Sequence, residues 1–326
     1  MLDVRLFDAD RASDADWDAL HELQASAYRL DYPERPPMTR QETISGLRAP
    51  QVQAGEQLTW TAHRNDRLVA RAIVMLPSDG NEHLALVRIH VHPDVRRQGI
   101  GTELLHALEP MLRDRDRTRV EGWNLTLGGP GESWAQGLGF RIVHSAVLQI
   151  MELSEVDRGR WSVAVPPGYR LMRWVGAAPE SFVSAYAKAR EAIGDAPLGE
   201  SEFGAPDWSV DRVRRIEASY RSRDIEHRTV VAVSSGGEVV GLTEMEARPL
   251  LPERLQQGDT AVLPAHRGHG LGLAMKSAML RWFTADRPGV AHIWTATGTG
   301  NTHMIAVNHR LGFATVRTGS VVSREL

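Results

Sequence analysis

The sequence contains no cysteine, and only two of its 38 cationic residues, Lys188 and Lys276, are lysines. Without cysteine the protein can form no disulfide framework, no thiolate metal site and no cysteine nucleophile. This absence is compatible with a reducing compartment, and we expect a cytoplasmic protein. The other cationic residues are arginines, which are scattered along the chain rather than clustered in stripes. No nucleic-acid partner is therefore predicted.

Long apolar runs are also missing. No stretch of about 18 apolar residues occurs, so no membrane-spanning helix is predicted. The opening segment MLDVRLFDADRASDADWDAL carries early acids and no long apolar core, so we do not expect a secretory signal. The formal net charge is −3 over 326 residues, and a chain of this length is long enough for two domains with separate cores.

What the chain does contain is an internal repeat. An offset of 171 residues pairs RRQGIG at 96–101 with RGHGLG at 267–272, and LTWTAHRNDRLVARAIVM with TVVAVSSGGEVVGLTEME. The offset drifts to 173 where GLGF at 137–140 meets RLGF at 310–313. The sequence therefore predicts two tandem domains of one fold.

The domain joint is predicted at the proline-rich connector near Pro166, which lacks repeat partners at its start. We place the two domains at residues 1–155 and 165–326. Each begins with a helical segment, continues with a hairpin whose turn lies at 64–66 or 234–238, and adds a third strand. The glycine-rich turn follows and opens a helix with apolar residues at helical spacing.

The glycine-rich turn joins the end of a strand to the start of a helix. The first N–H groups of a helix lack internal partners and lie where the helix dipole favours negative charge. Glycine allows close approach of a bulky anion, and the arginine adds positive charge, so the turn is predicted to bind phosphate. The signatures of Rossmann folds and P-loop ATPases are both absent, since Thr102 and Leu273 follow the last glycines.

The pattern Arg-x-x-Gly-x-Gly resembles the acyl-CoA pyrophosphate loop of the GNAT superfamily of N-acetyltransferases. The resemblance covers both halves and extends to NTHMIAVNHRLGF at 301–313. The tandem layout is similar to that of two-domain members of the mycothiol synthase type. The resemblance implies an α/β (α+β) protein with two GNAT-like domains, each a mixed, mostly antiparallel sheet flanked by helices.

The resemblance also implies acetyl-CoA as co-substrate and direct attack of an amine on the acyl group, with no metal. The strand ending at Val91 or Val262 would splay from its neighbour and hold the pantetheine arm. The implied CoA-binding residues are Val91, Arg96, Arg97, Gln98, Gly99, Ile100, Gly101 and Thr102 in the first copy, and Val262, Arg267, Gly268, His269, Gly270, Leu271, Gly272 and Asn301 in the second. For Asn301, a helix N-cap is the alternative role.

The two copies differ where proton transfer is needed. The repeat offset sets Glu244 against Ile73, and Asp259 against Arg88. Because acyl transfer to an amine needs an acceptor for the amine's proton, the second copy is predicted to be catalytic. The first copy is then a scaffold, an interface or a CoA site without turnover.

Three residues of the second copy are the catalytic candidates: Glu244, Asp259 and Asn308. Glu244 is favoured as the base, while Glu246 on the same strand face and Asp259 remain alternatives, and any of these acids could instead pair or face solvent. Many GNAT members have a tyrosine acid at the position of Asn308, which could bond to the leaving sulfur or simply pack. His303 is expected to be an exposed helix residue.

The predicted reaction is acetyl transfer from acetyl-CoA to the primary amine of a small molecule, by a monomer or homodimer. A CoA-binding sensor without turnover, or a transferase of longer acyl or aminoacyl groups, is the alternative. The acidic segment at 194–208 is expected to lie over the acyl end of the second copy and to attract a cationic amine. His90 and His92 share one strand face, which favours a half-exposed strand over a metal site.

Overall fold

The computed structural model describes residues 2–48, 55–197 and 199–326, which form two compact units. Unit 1 comprises Met1–His144, Glu200–Phe203 and Gly319–Leu326, and unit 2 comprises Ser145–Gly199 and Gly204–Thr318. Each unit contains a mixed sheet with helices packed against it, as the sequence predicted. No helix in the described part of the chain is both long and apolar enough to cross a bilayer.

Unit 1 is built around a sheet in the order β1-β2-β3-β4-β5-β12. Its pairings are antiparallel except for the parallel β4/β5 contact. The strands are β1 (Asp3–Leu6), β2 (Glu56–Arg64), β3 (Arg67–Leu76), β4 (Leu84–Val91), β5 (Arg119–Thr126) and the end of β12 (Ala314–Glu325), and the helices are α1 (Asp14–Asp31), α2 (Arg40–Arg48), α3 (Ile100–Arg113) and α4 (Pro130–Gly137).

Unit 2 repeats this plan in the order β6-β11-β10-β9-β8-β7, again with one parallel pair, β10/β11. The strands are β6 (Arg141–Glu152), β7 (Tyr169–Val175), β8 (Glu226–Ser234), β9 (Val239–Ala247), β10 (Arg254–Val262) and β11 (His292–Gly298), and the helices are α5 (Glu180–Glu191), α6 (Val210–Ser222), α7 (Leu271–Asp286) and α8 (Thr302–Leu311).

The hairpin and the helix that local sequence patterns predicted in unit 1 are both present. Asn65 and Asp66 connect β2 to β3 with φ of 51° and 57°, and positive φ at both positions is typical of a tight hairpin turn. The helix after the first glycine-rich turn buries all five apolar residues that defined its period: Ile100, Leu104, Leu105, Leu108 and Leu112. These side chains form the core of unit 1 against the central strands.

The last strand of each sequence half completes the sheet of the other half's unit. Residues 146–152 of β6 pair with β11 in unit 2, whereas residues 319–325 of β12 pair with β5 in unit 1. The compact units therefore differ from the continuous segments 1–155 and 165–326 by this exchange and by residues 200–203. The repeat offset gives no sign of the exchange, because β6 and β12 have equivalent places in the two halves.

The strand face that carries His90 and His92 is buried, so the expectation of a half-exposed strand was wrong. The two residues are 4% and 8% exposed, and the Tyr28 ring from α1 lies 5.3 Å from the His90 ring. Helix α1 packs over this face of the sheet and shields it from solvent. No group of three His, Asp or Glu side chains in the described residues could hold a metal ion.

Candidate active site

The two glycine-rich turns have the same backbone conformation. We call residues 96–102 loop 1 and residues 267–272 loop 2. In loop 1 the left-handed residues are Arg97 (φ 65°) and Gly99 (79°), and in loop 2 they are Gly268 (80°) and Gly270 (79°). Each loop then begins a helix, α3 at Ile100 and α7 at Leu271. The repeat in sequence is therefore a repeat in geometry.

The start of each helix presents a row of free N–H groups. Among the described residues, the backbone N–H groups of 97–101 and 268–272 have no protein acceptor. A Cβ added at Gly268 or Gly270 would have no heavy atom within 4 Å, so the space in front of loop 2 is open. Open space, free N–H groups and the positive end of a helix together form an anion site, which fits the pyrophosphate of CoA.

The arginine of each loop bonds to the preceding strand and to a carboxylate of the same unit. Arg267 donates through Nε to the carbonyl oxygen of Val262 at 2.9 Å, and its Nη2 contacts the Asp195 carboxylate. Arg96 makes the same bond to Val91 at 3.1 Å and a two-pronged pair with Asp31. In this geometry both predicted CoA-binding arginines stabilise the loop conformation. The free backbone N–H groups are the donors available to an anion.

The other predicted CoA-binding side chains lie in contact with the loops or at the helix starts. In loop 2, His269 places Nδ1 within 3.2 Å of the carbonyl oxygens of His266 and Arg267. In loop 1, Gln98 accepts from Arg64, and Thr102 accepts from the Trp134 indole at 3.0 Å.

Apolar and N-cap positions complete this set. Ile100 and Leu271 are buried and can offer a ligand only their backbone. Asn301 accepts from the N–H of Met304 at 3.1 Å, which makes it the N-cap of α8.

The strand before each loop separates from its parallel neighbour. β10 pairs with β11 only over residues 254–256, and β4 pairs with β5 only over residues 84–86. In unit 2 the register between β10 and β9 also shifts between Gln257 and Thr260, as a β-bulge does. Both parallel pairs thus open toward the loops, as the resemblance implied, and Asp259 lies within the bulge.

A charged cluster lies beside Asp259 in unit 2. Glu244 on β9 is 4% exposed, and its Oε1 accepts from the Tyr186 hydroxyl and from Nη1 of Arg190. The guanidinium of Arg190 also stacks 3.7 Å from the centre of the Trp208 ring. Burial alone would lower the pKa of Arg190. The nearby Glu244, Tyr186 and Asp259 have the larger combined effect and raise that pKa, so Arg190 is cationic.

Asp259 differs from Glu244 in both exposure and protonation. Its side chain is 48% exposed, and one oxygen lies 3.4 Å from Nη2 of Arg190. The surrounding protein limits hydration of the carboxylate, and together with the negative charge of Glu244 this raises the pKa of Asp259 to about 6. A carboxyl group with a pKa near neutrality can accept a proton from a reacting amine and release it again.

Glu246, the second acid on the same strand face, is held separately. It accepts from the Tyr220 hydroxyl at 2.8 Å and from Arg248 at 3.1 Å. The Tyr220 ring stacks on His227, with ring centres 4.6 Å apart. Burial, and then Glu246, raise the pKa of Tyr220, so this hydroxyl stays a donor. Glu246 therefore belongs to a hydrogen-bonded network under α6 and does not face solvent freely.

Asn308 lies in the interior of unit 2. Its side chain has no exposed surface, and its amide nitrogen donates to Gln149 at 2.8 Å and to Thr297 at 3.3 Å. His303, in contrast, is exposed in the first turn of α8, as expected. The structure thus brings Glu244 and Asp259 together around Arg190 and places Asn308 in a separate buried network.

The sequence profile of the "Acetyltransferase (GNAT) family" matches residues 17–126 and 197–313, which is one match in each half. The chain belongs to the GNAT acetyltransferase family. A GNAT domain therefore occurs twice in the chain, and acyl-CoA-dependent acyl transfer is the activity of this family.

Two curated GNAT relatives show how far sequence similarity extends. The mycothiol acetyltransferase of Pseudarthrobacter chlorophenolicus is 24% identical over 233 residues, which cover 70% of this chain and 66% of that protein. The streptothricin acetyltransferase of Streptomyces lavendulae is 31% identical over 98 residues, covering 30% of this chain and 50% of that protein. The chain thus spans about two thirds of one relative and half of the other.

Solved structures share the tandem fold. A tandem GNAT protein from the clavulanic acid biosynthesis pathway superposes with a TM-score of 0.81 at 24% identity, covering 100% of this chain and 98% of that one. A GCN5-related N-acetyltransferase from Sphaerobacter thermophilus gives a TM-score of 0.77 at 18% identity, covering 99% and 95%. At these identities the likeness establishes the fold.

The GNAT domain in unit 1 has a different set of residues at its opening. Arg88 stands where the repeat places Asp259, and Ile73 stands where it places Glu244. A Cβ added at Gly101 would touch the Trp134 ring at 3.5 Å, an ordinary van der Waals contact. Unit 1 therefore keeps the loop geometry without the carboxylates of unit 2.

The acidic segment at 194–208 is divided between the two units. Residues 200–203 pack within unit 1, where Ser201 donates to the buried carboxylate of Glu121 and Glu202 pairs with Arg119. Asp195 pairs with Arg267, and Leu198 lies outside the described residues. The expected cover over the acyl end stays a prediction, and within the structure residues 200–203 bond to Glu121 and Arg119 of unit 1.

Sequence reasoning missed Tyr186, Arg190 and Trp208. The first two lie four residues apart on α5, on one face of the helix, and both point at Glu244. A tyrosine and an arginine at this spacing in an otherwise ordinary helix were a weak signal. Their partner acids lie more than fifty residues away in the chain, so only the fold brings them together.

Proposed function

We propose that unit 2 transfers an acetyl group from acetyl-CoA to the primary amine of a small molecule. Loop 2 would hold the pyrophosphate through its free N–H groups, and the opening between β10 and β11 would admit the acyl end. The observation that carries the proposal is the place of Asp259, a half-exposed carboxyl group in the β10 bulge, 3.4 Å from Nη2 of Arg190.

In this proposal the amine attacks the thioester carbonyl directly. The new C–N bond forms, the C–S bond breaks, and CoA leaves as the thiolate. The amine's proton passes to Asp259 and then to solvent, which restores the carboxylate. A base with a pKa near 6 is mostly ionised at pH 7, so Asp259 is ready to accept that proton.

Glu244 would act through Arg190. Its Oε1 already accepts from Tyr186 and Arg190, so Glu244 is engaged within the cluster and does not face a substrate. Its charge keeps Arg190 in place and raises the pKa of Asp259. We therefore assign Glu244 a positioning role, and Asn308 carries no part of the proposed reaction.

The acceptor is proposed to be cationic when it binds, because the half-exposed carboxylate of Asp259 attracts it, and its amine attacks in the neutral form. The names of the relatives point to different molecules, mycothiol and streptothricin, so the names do not fix the amine. For unit 1 we propose CoA binding without turnover, since Arg88 replaces the proposed base.

The experiment is a coupled thiol-release assay with acetyl-CoA and a panel of amines, with acetylated product identified by mass spectrometry. Amine-dependent thiol release that disappears in Gly270→Glu supports the proposal. A parallel series of longer acyl-CoA donors tests the acyl chain. Tight CoA binding without thiol release from any amine would favour a sensor and would overturn the proposed transferase.

A further inference from the structure

Unit 1 contains a deeply buried arginine. Arg71 on β3 is 1% exposed, and neither its Nε nor its Nη1 atom has a hydrogen-bond partner among the described residues. A guanidinium is a strong donor, and leaving its N–H groups unmet inside a protein is unfavourable. The native arrangement is therefore expected to include an acceptor that the described residues do not supply.

Further basic groups surround Arg71. The β3/β4 register sets Arg71 directly opposite His90, and Arg88 lies two residues before His90 on the same strand face. The Tyr28 ring lies 5.3 Å from the His90 ring and covers this side. We call Tyr28, Arg71, Arg88 and His90 the basic cluster. Nε of Arg88 and Nδ1 of His90 also lack partners among the described residues.

The electrostatics of the cluster agree with this geometry. Burial lowers the pKa of Arg71 to about 10, which leaves it charged at neutral pH. Burial and the neighbouring arginines lower the pKa of His90 well below its usual value, so His90 is neutral. For Tyr28, burial is outweighed by Arg88, Arg71 and Arg35, which lower the pKa of its hydroxyl. The lowered pKa of Tyr28 marks a positive potential that an anion would relieve, because the neighbouring arginines cause it.

We propose that the basic cluster binds a small carboxylate. A carboxylate fits guanidinium donors in plane, and its negative charge suits the two arginines of the cluster. The site adjoins the opening of unit 1, because Arg88 lies just beyond residue 86, where pairing of β4 with β5 ends. It occupies the place that the proposed base Asp259 takes in unit 2.

Two sources offer this chemistry. One is a free carboxylic acid. The other is the terminal carboxylate of a dicarboxylic acyl group whose CoA is held by loop 1, and this source rests on the proposed binding of CoA by unit 1. Both place a carboxylate oxygen against Arg71.

The test is calorimetric titration of the full chain with sodium malonate in a buffer low in chloride. The Arg71→Met variant should weaken malonate binding at least tenfold. Its melting temperature without ligand should equal or exceed that of the wild type, because a well-packed apolar side chain often replaces a buried charge without loss. Arg113→Met, which changes a half-exposed arginine on α3, is the control and should bind malonate like the wild type.

A second arm separates the sources in the Gly270→Glu background, which removes binding at loop 2. Malonate binding without CoA identifies a free acid. Malonyl-CoA binding at least tenfold tighter than acetyl-CoA, with the difference lost in Arg71→Met, identifies the acyl end. If neither ligand distinguishes Arg71→Met from the wild type, or chloride binds as well as malonate, the proposal fails. Thiol release by unit 2 is scored separately, so failure of the proposed transferase is distinguishable.

Discussion

Nη2 of Arg190 lies 3.4 Å from Oδ2 of Asp259, while Nη1 of the same guanidinium donates to Glu244. One arginine thus bridges a buried carboxylate and a half-exposed one. Glu244 is buried and also accepts from the Tyr186 hydroxyl, whereas the side chain of Asp259 is half-exposed. This difference decides which acid we expect to titrate during the reaction, and it leads to the first three predictions.

Replacing Asp259 with Asn should lower kcat by about 10²–10⁴-fold, with little change in KM for acetyl-CoA, because a proton acceptor is lost and loop 2 is untouched. In the wild type, kcat/KM should rise with pH through about 6 and then level off, since the base must be ionised. Rate measurements from pH 5 to 8 check both points. Asp211→Asn, at an exposed position in the first turn of α6, is the control.

The same variant should change stability in a defined direction. The folded state raises the pKa of Asp259 to about 6 from 3.8, so the ionised form is disfavoured in the folded protein. This cost to stability is absent below the unfolded pKa and is fully present above pH 6. Asp259→Asn should therefore melt at or above the wild-type temperature at pH 7.5, and the difference should vanish near pH 4. A variant less stable at pH 7.5 would contradict the raised pKa.

Replacing Glu244 with Gln should lower kcat while the acidic limb of the pH profile persists. Because the charge of Glu244 raises the pKa of Asp259, its removal should move that limb to lower pH. The readout is the apparent pKa of kcat/KM beside KM for acetyl-CoA. Loss of the limb itself would identify Glu244 as the base and would reverse the two assignments.

Replacing Gly270 with Glu should abolish activity and leave the fold intact. The position has φ of 79°, which disfavours a side chain, and the added carboxylate would meet the phosphates at the helix start. Gly99→Glu makes the matched change in unit 1, where φ is also 79°. We expect that variant to keep activity within a few-fold and to lose one CoA site in calorimetry.

The opposite pattern, an active Gly270 variant and an inactive Gly99 variant, would move the reaction to unit 1. Loss of activity in both variants would indicate two catalytic sites or the dependence of one unit on the other. Circular dichroism of each variant confirms that the fold is retained.

Replacing Asn308 with Ala should reduce stability by about 1–3 kcal/mol, because Gln149 would lose its buried donor. KM for acetyl-CoA should change little, and the loss should appear in chemical denaturation. Arg310→Ala, at an exposed position on α8, is the control. A large fall in kcat with unchanged stability would contradict this prediction and indicate that Asn308 takes part in the reaction.

The repeat, the loops and the helices that follow them were predictable, because each depends on local spacing. The local sequence alone predicts a glycine at a left-handed position and apolar residues at helical intervals. The predicted difference between the halves, Asp259 against Arg88, likewise needed only the offset. These features are determined within a few residues of chain.

The partners of the acids were not predictable in the same way. Arg190 meets Glu244 only because α5 packs on β9, and the sequence does not state which helix covers which strand face. Residues 200–203 looked like part of an acidic cover, yet their partner Glu121 lies far away in the chain. Buried polar pairs of this kind depend on the assembled fold, so composition and periodicity do not reveal them.

The exchange of final strands has a consequence for synthesis. β5 leaves the ribosome early, but the strand that covers its edge, residues 319–325, follows only after all of the helices of unit 2. Until then the nascent chain carries a sheet edge with unpaired backbone groups, a template for pairing with other chains. Contacts so distant in sequence also form slowly. An isolated segment 1–155 would carry that edge permanently, together with a β6 strand deprived of its β11 partner.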